Sequence, residues 1–228
     1  MPAPHVGKWL LKPLILLICL SPVGLLTWNA LHGNLSANPI SDVTNETGIW
    51  TLRFVTIGLA ITPLRRLSGW NALGQFRRMI GLVAFTYVCL HFTTYILLDK
   101  FFDVPEMLKD VAKRPFITVG FTCFVLLIPL ALTSTNGMMR RLGGRRWKSL
   151  HRLVYIVGIG GVLHYLWLVK ADTSRPLTYG AVILLLLGYR IWIWWSSRVS
   201  RHPVRIDRGD EQGQKTGDLS PLKDRPGR

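Results

Sequence analysis

"SLHRLVYIVGIGGVLHYLWL", Ser149–Leu168, decides the fold. Apart from Arg152 and the histidines at 151 and 164, the stretch is almost entirely apolar, aromatic or glycine. It does not alternate, so it is not a half-buried strand, and it is apolar all round, so it is not a water-facing helix. At about 1.5 Å per residue its twenty residues reach about 30 Å, the thickness of a hydrocarbon layer. In lipid only helices and closed barrels satisfy every backbone group, so the stretch reads as a transmembrane helix.

Comparable blocks lie near residues 10–28, 48–63, 80–98, 116–132 and 177–195, with 151–169 as the fifth in order. The expected fold is an all-α integral membrane protein, a six-transmembrane-helix bundle over residues 10–196. Residues 1–9 form a short cytoplasmic N-terminus. Residues 197–228, rich in Arg, Asp, Gly, Gln and Pro, form a basic, disordered cytoplasmic tail suited to anionic lipid headgroups. Lys8 and Lys12 before an apolar core could suggest a cleaved leader. No small-x-small cleavage site follows it, so the first block reads as a retained helix, bent near Pro13 or Pro22.

The net charge of +16 first suggests nucleic acid as a partner. Its placement argues against that. Arg65, Arg66, Arg77 and Arg78 sit after the second block, Arg140, Arg141, Arg145, Arg146 and Lys148 after the fourth, and a third basic group lies in the tail. Residues 29–47 contain no Lys or Arg. The charge skips every second connection, as the positive-inside rule requires, and this puts both termini in the cytoplasm. Asp42 and Glu46 in one outer loop, and Asp99, Lys100, Asp103 and Glu106 in another, are expected to contact a partner. Cys19, Cys89 and Cys123 lie in three different blocks without a CxxC and read as small buried apolar residues.

An imidazole within a span is costly unless it has a partner. His91 lies 13 residues beyond Arg78, about 20 Å along its helix, and His164 lies 12 beyond Arg152, about 18 Å along. The third and fifth helices run parallel, so the two histidines share one depth in the outer half of the bilayer. That is the bis-histidine arrangement of a b-type haem, held without a CxxCH attachment. His151 lies at the opposite mouth, where the matching depth on the third helix carries Arg77 or Arg78. Either it belongs to a second, incomplete site, or it replaces His164 in some state, with Gly158, Gly160 and Gly161 permitting a distortion. The plainer role of these glycines is close helix packing. Around His151, Arg77, Arg78, Arg145, Arg146, Trp147 and Arg152 offer charge and a stacking face to a flavin phosphate, a haem propionate or a quinone headgroup. The alternative is that these arginines set topology and bind lipid phosphate.

The runs "TPLRR" (Thr62–Arg66), "RRMIGLVAFTYVCLHF" (Arg77–Phe92), "LALTSTNGMMRRLGGRRWKSLHRLVYI" (Leu130–Ile156) and "LHYLWLVK" (Leu163–Lys170) together resemble the haem-binding membrane subunits of bacterial periplasmic methionine sulfoxide reductase systems. These subunits are related to the ferric reductase-like transmembrane family. The resemblance covers residues 8–196 and implies haem b and FMN in a multi-pass protein of the bacterial inner membrane. It implies electrons taken from the quinone pool, or from a cytoplasmic flavin reductase, and passed to a periplasmic molybdopterin-containing catalytic subunit. His91, His151 and His164 match the family's haem-associated histidines. The broader family often carries two histidines on each of two helices. Here the inner position of the third helix holds Arg77 or Arg78, which weakens the case for a second bis-histidine haem.

Two other readings compete. A self-contained ferric reductase needs FAD and a nicotinamide, and no GxGxxG follows a strand, so it would need a separate reductase chain. A non-redox transporter or scaffold could use the same histidines and arginines as a proton or anion path.

Overall fold

The computed structural model describes residues 6–199, and all of the regular structure described is helical. Eight α-helices follow in order: α1 Val6–Leu31, α2 Pro39–Ser68, α3 Arg77–Thr94, α4 Val104–Lys113, α5 Pro115–Leu132, α6 Asn136–Leu150, α7 Leu153–Leu168 and α8 Ser174–Val199. A 3-10 segment, Asn71–Phe76, leads into α3, and a π-helical turn, Tyr95–Asp99, ends it. The expected cytoplasmic N-terminus lies mostly, and the basic tail almost wholly, outside the described residues.

Five segments are long and apolar enough to cross a membrane: Leu11–Leu31, Pro39–Ser68, Asn71–Asp99, Pro115–Leu132 and Ser174–Arg198. The protein is therefore a multi-pass membrane protein. The remaining expected span, the fifth in order, is α7, which is apolar but has only 16 residues, about 24 Å of helix. It stops early at both ends because His151 and Arg152 belong to the turn that closes α6, and Val169 is extended. Helix α1 continues through Pro13 and Pro22. Helices α4 and α6 carry no apolar block and lie in connections between the apolar helices.

Helix ends follow local chemistry. Asn38 caps α2 by accepting from the Ser41 amide at 3.2 Å, with Pro39 at its first position. Gly69, in the left-handed region at φ +69°, stops the same helix. Thr135 caps α6 by accepting from the Met138 amide at 3.2 Å.

Helix α2 packs against α3 and α7, and α5 packs against the same two. This ring sets α3 and α7 across from one another. Helix α1 joins through a bond from the Tyr87 hydroxyl to the Cys19 carbonyl at 2.8 Å. Leu59, Val83, Ala84, Tyr87 and Ile183 are among the most completely buried side chains. The α7 glycines serve close packing. A Cβ on Gly158 would meet Leu59 Cδ1 at 3.3 Å, one on Gly161 would meet Leu52 Cδ1 at 3.3 Å, and one on Gly160 would meet Cys123 Sγ at 2.5 Å. The chain divides after Ile191 into a second unit. There Trp192, Trp194 and Trp195 are exposed, and the Arg198 guanidinium lies 3.8 Å from the Trp194 ring centre. Such rings suit a membrane–water boundary.

Gly160→Val should therefore destabilise the α5–α7 contact by about 1–3 kcal/mol, the usual cost of overpacking. Thermal unfolding in detergent should show the loss. Cys123→Ala in the same chain should recover part of it, since it removes the sulfur that the new side chain strikes. Equal stability of Gly160→Val and wild type would contradict the packing.

Candidate functional site

His91 projects from α3 and His164 from α7, the two helices set across the ring. Their ring centres are 6.1 Å apart and their planes stand at 83°. His91 Nδ1 lies 2.9 Å from the Thr44 carbonyl of α2, and His164 Nδ1 lies 2.6 Å from the Phe116 carbonyl of α5. A carbonyl can only accept, so each Nδ1 donates. In the neutral ring this leaves the Nε2 lone pair as the free ligating site on both histidines.

The two contacts share one construction. Gly48 stands four residues after Thr44, and Gly120 four after Phe116. In a helix the Cβ of residue i+4 leans back over the turn that holds carbonyl i. A Cβ at position 48 would stand 3.0 Å from His91 Cε1, and one at 120 would stand 2.7 Å from His164 Nδ1. Each glycine opens a notch through which an imidazole reaches a carbonyl already engaged in its own helix. Beside the pair, Phe92 stacks on Phe124 at 4.5 Å, and Phe116 lies 6.1 Å from the His164 ring.

The donor set tests what such a pair can hold. Among the described residues no three His, Cys, Asp or Glu side chains converge as a metal-binding group. A bare transition metal usually takes three or four protein ligands. A macrocycle that already supplies four nitrogens leaves two axial positions, which two imidazoles fill. With bonds of about 2 Å and about 1.1 Å from ring centre to ligating nitrogen, a linear arrangement separates the ring centres by about 6 Å. The observed 6.1 Å fits that span.

At the opposite end of the bundle lies a small, partly open cavity. Arg77, Arg78, Ser134, Trp147 and His151 line it together with apolar residues of α2, α3 and α5. His151 stacks on Trp147 at 3.9 Å, and its Nδ1 bonds the Trp147 carbonyl at 3.1 Å. Its Nε2 meets the Ser134 hydroxyl at 3.5 Å. The Trp147 indole N–H donates to the Thr133 carbonyl at 2.9 Å, and Arg78 Nη1 donates to Asn136 Oδ1 at 2.5 Å. The structure thus brings Arg77, Arg78, Trp147 and His151 together. Arg145, Arg146 and Arg152 are exposed and do not line the cavity. Trp147 and His151, four apart, share a helix face that Arg145 and Arg146 do not.

Two further arginines matter. Arg190 on α8 donates from Nη2 to the Leu59 carbonyl at 2.7 Å and lies 5.0 Å from the Tyr155 ring centre, while its Nη1 is buried without a hydrogen-bond partner. Arg53 on α2 bonds the Tyr179 hydroxyl through Nε at 3.1 Å and lies 4.3 Å from the Trp50 ring centre. Both are charges inside apolar blocks. The reasoning that marks an intramembrane histidine marks them equally.

The charges expected to meet a partner are largely used within the chain. Lys100 Nζ lies 2.7 Å from Asp110 Oδ2, 2.9 Å from Glu106 Oε1 and 3.9 Å from Asp99. Arg114 adds a 3.3 Å contact to Asp110. Asp103 caps α4 by accepting from the Glu106 amide at 3.0 Å, and Asp42 accepts from the Ser36 amide at 2.7 Å. The hydrogen bond from Lys100 holds the Asp110 carboxyl below its ordinary pKa, and the bonds from Asp110 and Glu106 hold the Lys100 ammonium above its own.

Residues 47–162 match the family model of the ferric reductase like transmembrane component, which takes in His91 and His151 and stops two residues short of His164. Similar proteins narrow the class. The chain is 56% identical over 191 residues to the protein-methionine-sulfoxide reductase heme-binding subunit MsrQ of Herminiimonas arsenicoxydans, covering 83% of this chain and 88% of that one. It is 52% identical to the subunit of the same name from Ralstonia nicotianae, over 82% of each chain. It is 49% identical to that of Caulobacter vibrioides, over 78% of this chain and 85% of that one. The chain belongs to this MsrQ branch of the ferric reductase-like transmembrane family. No solved structure matches it.

Asp110→Asn should lower the melting temperature, because it leaves Lys100 largely buried with its nearest carboxylate gone. The depressed Asp110 pKa also gives a sign. Its contribution to stability is fully present above the ordinary value of 3.8 and is lost as pH falls through the lower folded value. Thermal melts of wild type should therefore weaken in that acid window, and Asp110→Asn should flatten the dependence.

Proposed function

We propose that the chain is a haem b-binding electron-transfer subunit of a methionine sulfoxide reductase system, whose haem iron His91 and His164 would hold. The observation that carries this reading is the imidazole pair, 6.1 Å between centres, with both Nδ1 atoms turned to carbonyls. A haem held there would supply one-electron transfer across a low-dielectric interior. The chain's own part is to offer two imidazole lone pairs from facing helices, fix both rings through Thr44 and Phe116, and exclude water with the phenylalanines of α3 and α5. Reduction of a sulfoxide to a thioether takes two electrons and two protons. That chemistry belongs on another polypeptide, a periplasmic molybdopterin-containing catalytic subunit.

Six crossings of the bacterial inner membrane, with both termini cytoplasmic, agree best with the charge pattern. Helix α7 is then a short span whose neighbours make up the remaining depth. In that topology the Arg77–His151 cavity opens toward the cytoplasm and receives the donor, either the quinone pool or a cytoplasmic flavin reductase. FMN is the flavin the family resemblance suggests. Arg77, Arg78 and Trp147 offer a phosphate partner and a stacking face there, and the unpaired Nη1 of Arg190 lies behind the cavity-lining Leu59. His151 belongs to this donor end. The exposed Arg145, Arg146 and Arg152 meet lipid phosphate.

A reduced-minus-oxidised spectrum with haem quantified per chain tests the reading. Wild type should show one low-spin b haem. His91→Ala and His164→Ala should each lose most of it, while His151→Ala should keep it. Gly120→Ala, which pushes His164 from its carbonyl, should weaken haem retention about 10–100-fold, as loss of an orienting contact does. Equal and complete loss in all three histidine variants would refute the assignment, and a colourless wild type would refute the function.

A further inference from the structure

Helix α4 has two faces. Glu106, Lys109, Asp110 and Lys113 make a polar side, and Asp110 is locked to Lys100. Along the other side Met107 and Val111 are half-buried, while Val104, Leu108 and Ala112 are exposed. The apolar face therefore begins against the protein and continues outward, uncovered. Just before α4, Phe101 is 77% and Phe102 64% exposed, and they follow Leu97 and Leu98, apolar residues exposed at the end of the α3 segment.

The backbone there is unusual. Phe101 and Phe102 have φ of +48° and +62°, consecutive bulky residues in a region where glycine or asparagine would sit with less strain. The turn is held by the Phe102 amide on the Ile96 carbonyl at 3.0 Å and the Asp103 amide on the Lys100 carbonyl at 2.8 Å. Two large aromatic side chains kept at such positions, and left exposed, must gain their stabilisation outside the chain.

We propose that Phe101, Phe102 and the open edge of α4 form an interfacial anchor inserted in the lipid leaflet beside the α3 and α5 ends. Three observations choose lipid as the occupant. The segment joins the ends of two membrane-crossing helices and packs on α5, so it cannot lift away from the boundary. Its open apolar edge adjoins the exposed Leu97 and Leu98 at the end of the α3 segment. Lys109 and Lys113 on the polar side stand where lipid phosphates lie when the apolar side is immersed. The anchor also bears on the histidine site, because α4 runs through Arg114 directly into the α5 turn whose Phe116 carbonyl holds His164.

Nitroxide labels on the full chain in phosphatidylethanolamine and phosphatidylglycerol nanodiscs test this. Wild type, with Cys19, Cys89 and Cys123 in its apolar helices, sets the background. Labels at Phe101→Cys, Phe102→Cys and Leu108→Cys should collide readily with oxygen and severalfold less with a water-soluble nickel chelate than a label at Lys109→Cys. Leu108 lies in regular helix, so its variant reports even if the strained turn tolerates no change. In a Phe101→Gly/Phe102→Gly chain, where the backbone is relieved, the Leu108→Cys label should become more exposed to nickel. Nickel exposure at 101, 102 and 108 equal to that at 109 would overturn the anchor and leave this face to a protein partner.

Discussion

An imidazole in a low-dielectric interior must satisfy two nitrogens, and the helices around it have already spent their carbonyls on themselves. The arrangement at His91 and His164 follows from that constraint. Each ring borrows the second lone pair of a carbonyl in a neighbouring helix, and each neighbour gives access by placing glycine four residues on. Thr44 with Gly48 and Phe116 with Gly120 are the same solution on two different helices. The α2–α3 and α5–α7 contacts must be close enough for those bonds to form, so the spacing of the ring follows from the histidines as much as from apolar packing. With Nδ1 committed to protein, Nε2 is the nitrogen left free on each ring, and the choice of tautomer is removed.

Much of this is legible in the chain. The apolar blocks give the helices, and counting residues from Arg78 and Arg152 puts His91 and His164 at one depth, where their rings do meet. Other features depend on what lies across a gap. Nothing local to Gly48 or Gly120 says that a ring from another helix enters there. The glycines of α7 could mark a bend or a close contact, and only the positions of Cys123, Leu59 and Leu52 decide for contact. Arg145, Arg146 and Arg152 look equivalent to Arg77 and Arg78 in a string of basic residues. The helical period separates them, because Trp147 and His151 take the face that borders the cavity. Helices α4 and α6 are short and polar, below the signal that long apolar runs provide.

The charges differ in kind between the two ends of the bundle. No Asp or Glu occurs between Glu46 and Asp99 or between Asp110 and Asp172. The segment around α4 neutralises itself through Lys100, Asp110 and Arg114 and presents few free charges. The end that carries Arg77, Arg78, His151 and Arg190 has no described carboxylate to answer it, and one guanidinium nitrogen there is buried without a partner. Burying a cationic donor unpaired is expensive, and chains avoid it unless something else supplies the acceptor.

That asymmetry sets how the two histidine environments differ. His91 and His164 each commit Nδ1 to a backbone carbonyl and leave Nε2 free, with the Phe116 ring beside His164. His151 sits against an indole and an excess of positive charge, which favours an anionic or electron-rich visitor and opposes a second cationic metal centre with only one imidazole to hold it. On the reading proposed above, electron entry at the arginine end and residence at the paired histidines accord with the same distribution of charge. On that reading the uncompensated arginines favour an anionic or electron-rich donor at the cavity, while the paired imidazoles offer two free Nε2 atoms.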